Sequence, residues 1–328
     1  MDWRGNLAGT EENVVIGAGD CTVTLIPALG GKIASICIGA EELLQAPLNS
    51  LAPRTRTMDF AASDASGWDE CLPSVAACTS STEAGPAAIP DHGDLWRVPW
   101  KVLASTGESA TLRANCFSLP LQLTRSMILA ETASGWRLQL LYSLTNLGAY
   151  KVPWAWCAHP LFAVDGGDRI VLPHSIESLR IEGSAGERLG VSGESVSWPV
   201  AQTIRAGETD LSLAQSATFG TGDKLFAGPF QSSNESWCAL ERLHLGLRLT
   251  VGFDSAFTPY LGLWLCYGGW PENPGPKQQC VALEPATAPV DSLASTGPWS
   301  RSLEAGETVT WPMELRIDRI EKETLASI

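Results

Sequence analysis

The chain holds no apolar run near the ~20 residues that a membrane-spanning helix needs, and no basic block. Its 36 acidic residues outnumber 22 basic ones, for a net charge of −14. Such a field repels nucleic acid and anionic membrane surfaces, so neither is an expected partner. A neutral small molecule is the easiest ligand to reconcile with it. Cysteine supplies no framework either: the nine thiols are odd in number and include no C-x-x-C pair. They read as free, buried side chains in a reducing cytoplasm. The opening Met1-Asp2-Trp3-Arg4-Gly5-Asn6 lacks the apolar core of a signal peptide, which agrees with a cytoplasmic expectation. G-x-G-x-x-G, G-x-S-x-G and H-E-x-x-H are also missing, and neither a cofactor nor a metal is expected.

Helical periodicity is scarce, and alternation of apolar with polar residues takes its place. Trp136, Leu138, Leu140, Tyr142 and Leu144 make one face of a strand whose other face begins with Arg137 and Gln139. Leu243, Leu245, Leu247, Leu249 and Val251 stand opposite Arg242, His244, Arg248 and Thr250. Val309, Trp311, Met313, Leu315 and Ile317 alternate with Thr310, Glu314, Arg316 and Asp318, with Pro312 suited to an edge or a bulge. Half-buried antiparallel strands give this pattern. Glycine turns at 30–31, 166–167, 186, 220–222 and 306 punctuate the runs, and only Ala40–Gln45 and Pro289–Ala294 suit a helical turn. No repeat, heptad or linker divides the chain. The expectation is one all-β domain over residues 1–328, a large sandwich of antiparallel sheets.

Four stretches carry titratable groups in settings that suit chemistry. In Trp154-Ala155-Trp156-Cys157-Ala158-His159-Pro160-Leu161-Phe162, a histidine stands among large apolar side chains, and Pro160 holds it extended. The indole of Trp156 offers a flat wall for a ring-shaped ligand. In Asp91-His92-Gly93-Asp94-Leu95-Trp96-Arg97, Asp91 can orient His92. Gly93 allows close approach or a positive φ, and Arg97 offers a fork of donors for vicinal hydroxyls. Glu284 ends an apolar strand at Pro285, a place for a partly buried general base. Asp223 lies in the glycine turn Thr221-Gly222-Asp223-Lys224. Trp68, Asp69 and Glu70, in Gly67-Trp68-Asp69-Glu70-Cys71, form a candidate ligand-binding edge. Gly268–Pro276 reads as a rim loop.

Together these stretches resemble the aldose 1-epimerase, or galactose mutarotase-like, family. The resemblance lies in His92-Gly93, His159-Pro160-Leu161-Phe162, Asp223-Lys224-Leu225-Phe226 and Glu284-Pro285 followed by Pro289-Val290-Asp291-Ser292, in the family's order. It spans roughly residues 14 to 318. It implies a β-supersandwich that interconverts the α and β anomers of a free aldose without a metal, as a monomer or homodimer. By that likeness Glu284 takes the proton from the C1 hydroxyl, His159 protonates the ring oxygen O5, His92 assists near O5 and Asp223 binds ring hydroxyls. The chain departs from the family at Leu161, where an aromatic is usual, and lacks the family's Asn-Arg segment. The reaction itself asks for such a pair: a hemiacetal opens when one proton leaves O1 and another reaches O5. Alternative readings are a non-catalytic carbohydrate-binding protein, a sugar-phosphate mutarotase served by Arg54, Arg56 or Arg97, and a glycosidase using Asp69 with Glu284.

Overall fold

The computed structural model describes residues 13–231 and 233–320; the opening Met1–Asn6 lies outside them. An eleven-stranded sheet runs, edge to edge, through Val14–Ala18, Cys21–Ile26, Lys32–Ile38, Trp68–Cys71, Cys157–Ala163, Gln279–Ala286, Tyr260–Tyr267, Thr221–Ala227, Ser178–Ser184 and Ser195–Ser197. Glu41–Glu42 pairs beside Lys32–Ile38. An eight-stranded sheet follows the order Arg169–Val171, Trp237–Arg242, Leu247–Phe253, Thr308–Arg319, Gly135–Asn146, Leu121–Glu131, Ser109–Asn115 and Lys101–Ser105. The strand pairings within both sheets are antiparallel. Three two-stranded ribbons complete the architecture, an all-β sandwich. Among the described residues the helical pieces are six 3-10 turns of three residues each.

The alternation read from the sequence decides how the sheets meet. Trp136, Leu138, Leu140, Tyr142, Trp311, Leu315 and Ile317 of the eight-stranded sheet join one core with Val23, Ile33, Trp68, Phe162, Leu225, Leu263 and Leu283 of the other. Each such side chain removed from water contributes roughly 1.5–3 kcal/mol, so the face that carries them is fixed.

Three local expectations change. The run Arg242–Val251 is not one strand. Gly246 takes a left-handed φ of 65° after the turn Leu243–Leu245, and the chain doubles back into the Trp237–Arg242 and Leu247–Phe253 hairpin. Pro312 lies in a central strand, but the ladder to Leu247–Phe253 stops at Met313, so the proline sits just past its end. Within Ala40–Gln45, Glu41–Glu42 pairs as strand and Leu44 bridges to Phe162, and Pro289–Ala294 is bends leading into a turn at 293–294, with no helix in either.

Candidate functional site

The eleven-stranded sheet is buried on both faces where it is central. One face meets the other sheet. The second carries Asp69, Cys71, Cys157, His159, Leu161, Ala282, Glu284, Gly262, Trp264, Lys224 and Phe226, which stand apart from the main core; of these, His159, Glu284, Trp264 and Lys224 line a cleft of about 350 Å³. Register sets the chemistry in a single row across five strands. Asp69 pairs with His159, Glu284 pairs with Gly262, and Gly262 pairs with Phe226. The pairs Cys157↔Ala286 and Leu161↔Ala282 bracket His159 against Glu284. The two side chains therefore arise side by side, with His159 Nε2 3.9 Å from Glu284 Oε1.

The oxygens of Glu284 are not equivalent. Oε2 receives the Lys224 ammonium and, at 3.3 Å, the Cys157 thiol. Oε1 is buried, has no hydrogen-bond partner and faces the imidazole. His159 Nδ1 and Asp291 Oδ1 are also buried without hydrogen-bond partners. Orphaned buried polar atoms carry a desolvation cost of about 1–3 kcal/mol each, and these three belong to residues that line one cleft, where a polar ligand could bond them.

His92 reaches the cleft from a tight turn. The backbone of Gly93 takes φ 68° and approaches Leu72 so closely that a Cβ would lie 2.2 Å from its carbonyl oxygen, and no other residue fits there. His92 stacks on Phe60 at 3.8 Å, bonds Asp91 Oδ2 through Nδ1 at 2.8 Å, and meets the His159 ring edge-on at 5.2 Å. The walls are Phe60, Trp264 and Trp270; Gln278, whose Oε1 accepts the Trp264 indole N–H at 2.9 Å, completes one side. Asp59 and Asp91 stand at the lip.

Burial, followed by the charges of His92, Lys224 and Lys32, pushes His159 well below 6.5, so the ring is neutral near pH 7 in the open cleft. Burial alone lowers the Lys224 ammonium, but Asp291 and Glu284 reverse that and raise it above its ordinary value. Burial and Glu284, opposed by Lys224, push Asp291 up to about 6.

Of the residues expected from sequence, the structure brings Glu284, His159 and His92 together at the cleft. The others it places elsewhere, and strand alternation is the reason for Asp223, Trp68 and Glu70. Asp223 precedes Lys224 and so points to the opposite face; its carboxylate is held by Ser184 Oγ at 2.6 Å and by Arg188 Nε at 3.0 Å. Trp68 and Glu70 flank Asp69 and likewise face the core. Glu70 accepts from Arg125, Tyr142 and Trp156, so Trp156 is a core indole and not a cleft wall. Asp69 is on the cleft side but sits beneath it, bonded to Lys32. Arg97 donates to the carbonyls of Met58, Asp91 and Gly93 and braces the His92 turn rather than a ligand. Arg54 is engaged by Asp64, and Arg56 lies over Phe117. The rim expectation for Gly268–Pro276 matches Trp270, which lines the cleft. Lys224, Phe60, Trp264, Gln278 and the role of Asp291 were not anticipated.

A larger open groove of about 1080 Å³ crosses the outer face of the eight-stranded sheet past Ile128, Leu141, Trp237 and Pro312 and shares no lining residue with the cleft. Among the described residues, Asp165, Asp168 and His244 are close enough to share a metal ion. Arg242 already meets both carboxylates there, at 3.1 Å and 2.7 Å.

No protein-family description and no curated protein matches the sequence. Solved structures do match. The Slr1438 protein of Synechocystis sp. PCC 6803 aligns with TM-score 0.71 at 15% identity, over 96% of this chain and 99% of that one. A galactose mutarotase-like protein of Lactobacillus casei ATCC 334 aligns with TM-score 0.61 at 17% identity, over 93% and 99%. An aldose epimerase homologue from C. elegans aligns with TM-score 0.60 at 13% identity, over 95% and 100%. The likeness is one of fold: this chain has the galactose mutarotase-like β-sandwich.

Proposed function

We propose that the protein is an aldose 1-epimerase, acting as a single domain on a free, neutral monosaccharide. The observation that carries this reading is the facing pair at the cleft floor, Glu284 Oε1 and His159 Nε2, 3.9 Å apart with no group between them. O1 and O5 of an aldose are bonded to the same carbon, so a base for one and an acid for the other must sit close together. The buried Glu284 carboxylate takes the O1 proton, and His159 in its protonated form delivers one to O5 as the C1–O5 bond breaks. Rotation about C1–C2 and closure with the roles reversed gives the other anomer. The cleft lies at the small end of the roughly 300–1,000 Å³ of small-molecule sites, suited to one sugar ring, with aromatic walls for its apolar face.

Two other readings lose their footing. None of Arg54, Arg56 and Arg97 lines the cleft, and its lysine is already shared by two carboxylates, which leaves a sugar phosphate no counter-charge. Asp69 is paired to Lys32 and does not line the cleft, so it cannot act with Glu284 as a glycosidase pair.

Polarimetry on freshly dissolved α-D-glucose and α-D-galactose tests the proposal. The protein is expected to speed the approach to equilibrium, and Glu284→Gln and His159→Ala to abolish most of that gain. Calorimetric binding of sugars with no change in rotation rate across a panel would instead make the protein a carbohydrate binder.

A further inference from the structure

We propose that Lys224 is a positioning residue for the base: it secures one oxygen of Glu284 so that the other alone meets the sugar, and Gly262 is the gap that lets it reach. The inference rests on the mutarotase reading for its kinetic consequences, but the geometry stands by itself. Lys224 and Glu284 belong to strands that are not neighbours. The Tyr260–Tyr267 strand lies between Thr221–Ala227 and Gln279–Ala286. On the cleft side of that intervening strand stand Tyr260, Gly262, Trp264 and Cys266, three sizeable side chains and one hydrogen. The φ of Gly262 is outside the left-handed range, so the backbone does not require glycine. Space does. A Cβ there would lie 2.9 Å from Glu284 Oε2 and 3.3 Å from Lys224 Nζ, inside the bridge itself. An isolated glycine within a strand commonly marks such a close approach.

The consequence is electrostatic as well as steric. Glu284 is faced by Cys157 and His159 from one neighbouring strand, by Lys224 across Gly262, by Asp291 from the segment after its own strand, and by the Cys71 thiol beyond. Among the described residues lining the cleft, Lys224 is the one lysine or arginine. It also stands 3.7 Å from Asp291, so two carboxylates share one ammonium. Removing the ammonium leaves Glu284 beside a like charge; removing Asp291 leaves the ammonium to Glu284 alone. The two changes must act in opposite directions.

The full-length variants Lys224→Met, Gly262→Ala and Asp291→Asn separate this role from mere packing, with α-D-glucose and α-D-galactose as probes. Lys224→Met is expected to lower kcat roughly 10²-fold, as misplacing a catalytic group by about 1 Å does, with KM little changed. The acidic limb of its kcat/KM profile moves to higher pH, because the base loses its neighbouring cation. Gly262→Ala, which keeps every charge, should show the same split more weakly. Asp291→Asn should move the limb to lower pH. A folded Lys224→Met enzyme with the wild-type kcat and pH profile overturns the proposal. If the wild type turns over no sugar, the mutarotase reading fails, and a ¹³C-carboxyl NMR titration decides the positioning role separately. There the Glu284 signal must titrate at higher pH in Lys224→Met than in the wild type, and an unchanged titration overturns it.

Discussion

Glu70 and Glu284 are both fully buried carboxylates near the middle of the same sheet, on opposite faces. On the core side, Glu70 Oε1 accepts from Arg125 at 2.8 Å and from the Tyr142 hydroxyl at 2.9 Å, and its Oε2 takes the Trp156 indole N–H at 3.0 Å. Each oxygen is occupied. On the cleft side, Glu284 has one oxygen held by Lys224 and Cys157 and one with no hydrogen-bond partner. A saturated carboxylate has nothing left to offer a substrate, whereas a half-saturated one is anchored and still reactive. Burial alone does not distinguish the two; unspent hydrogen-bonding capacity on an oxygen that lines a cleft does.

The largest effects should come from neutralising these two residues in turn. Glu284→Gln is expected to lower kcat roughly 10²–10⁴-fold with the melting temperature nearly unchanged. Glu70→Gln strands the Arg125 charge and should cost about 3–5 kcal/mol in denaturant titrations, while the molecules that remain folded keep their kcat. The contrast breaks if the glutamine at 284 destabilises and the glutamine at 70 inactivates. Next in size is the pH dependence of His159. Its acid form exists below its depressed pKa and is lost as pH rises through it, so the alkaline limb of kcat/KM, which reports the ligand-free protein, should lie below pH 6.5. A limb above that value would show that the ring is charged in the working enzyme. A smaller loss is expected from Arg97→Met, which frees the carbonyls that shape the His92 turn and should raise KM along with a fall in stability. Smallest is Asp223→Asn, which should lower the melting temperature through Arg188 and leave KM as it was; a weakened sugar affinity would return Asp223 to the cleft.

Much of the fold was legible because alternation is a direct imprint of a sheet with one wet face. Gly135–Asn146 and Thr308–Arg319 carry that imprint, and both are long strands of the sandwich. The Arg242–Val251 run kept the same period through a turn, because Gly246 falls on the polar side of the count. The central sheet was harder. Thr221–Ala227 and Gln279–Ala286 are covered on both faces, so residues of both parities are buried and the sequence does not say which one looks into the cleft. Hence Asp223 stood in for Lys224, and Trp68 and Glu70 were grouped with Asp69 although alternation sends them the other way. His92 and His159 stood out because a histidine before glycine or proline is an unusual place to bury a titratable group. Glu284 stood out before Pro285, but the strand does not end there: its ladder runs on through Pro285 to Ala286, and the carboxylate is fully rather than partly buried. Gly262 was the overlooked signal, a lone glycine inside Tyr-Leu-Gly-Leu-Trp-Leu-Cys-Tyr.

Exchange spectroscopy at equilibrium reads the proposed chemistry most directly, through magnetisation transfer between the α and β anomeric protons of D-glucose. With wild-type protein the transfer rate should rise in proportion to enzyme concentration, and with Glu284→Gln it should return to the buffer value. Equal transfer rates for buffer, wild type and variant, for glucose and galactose alike, would contradict the account.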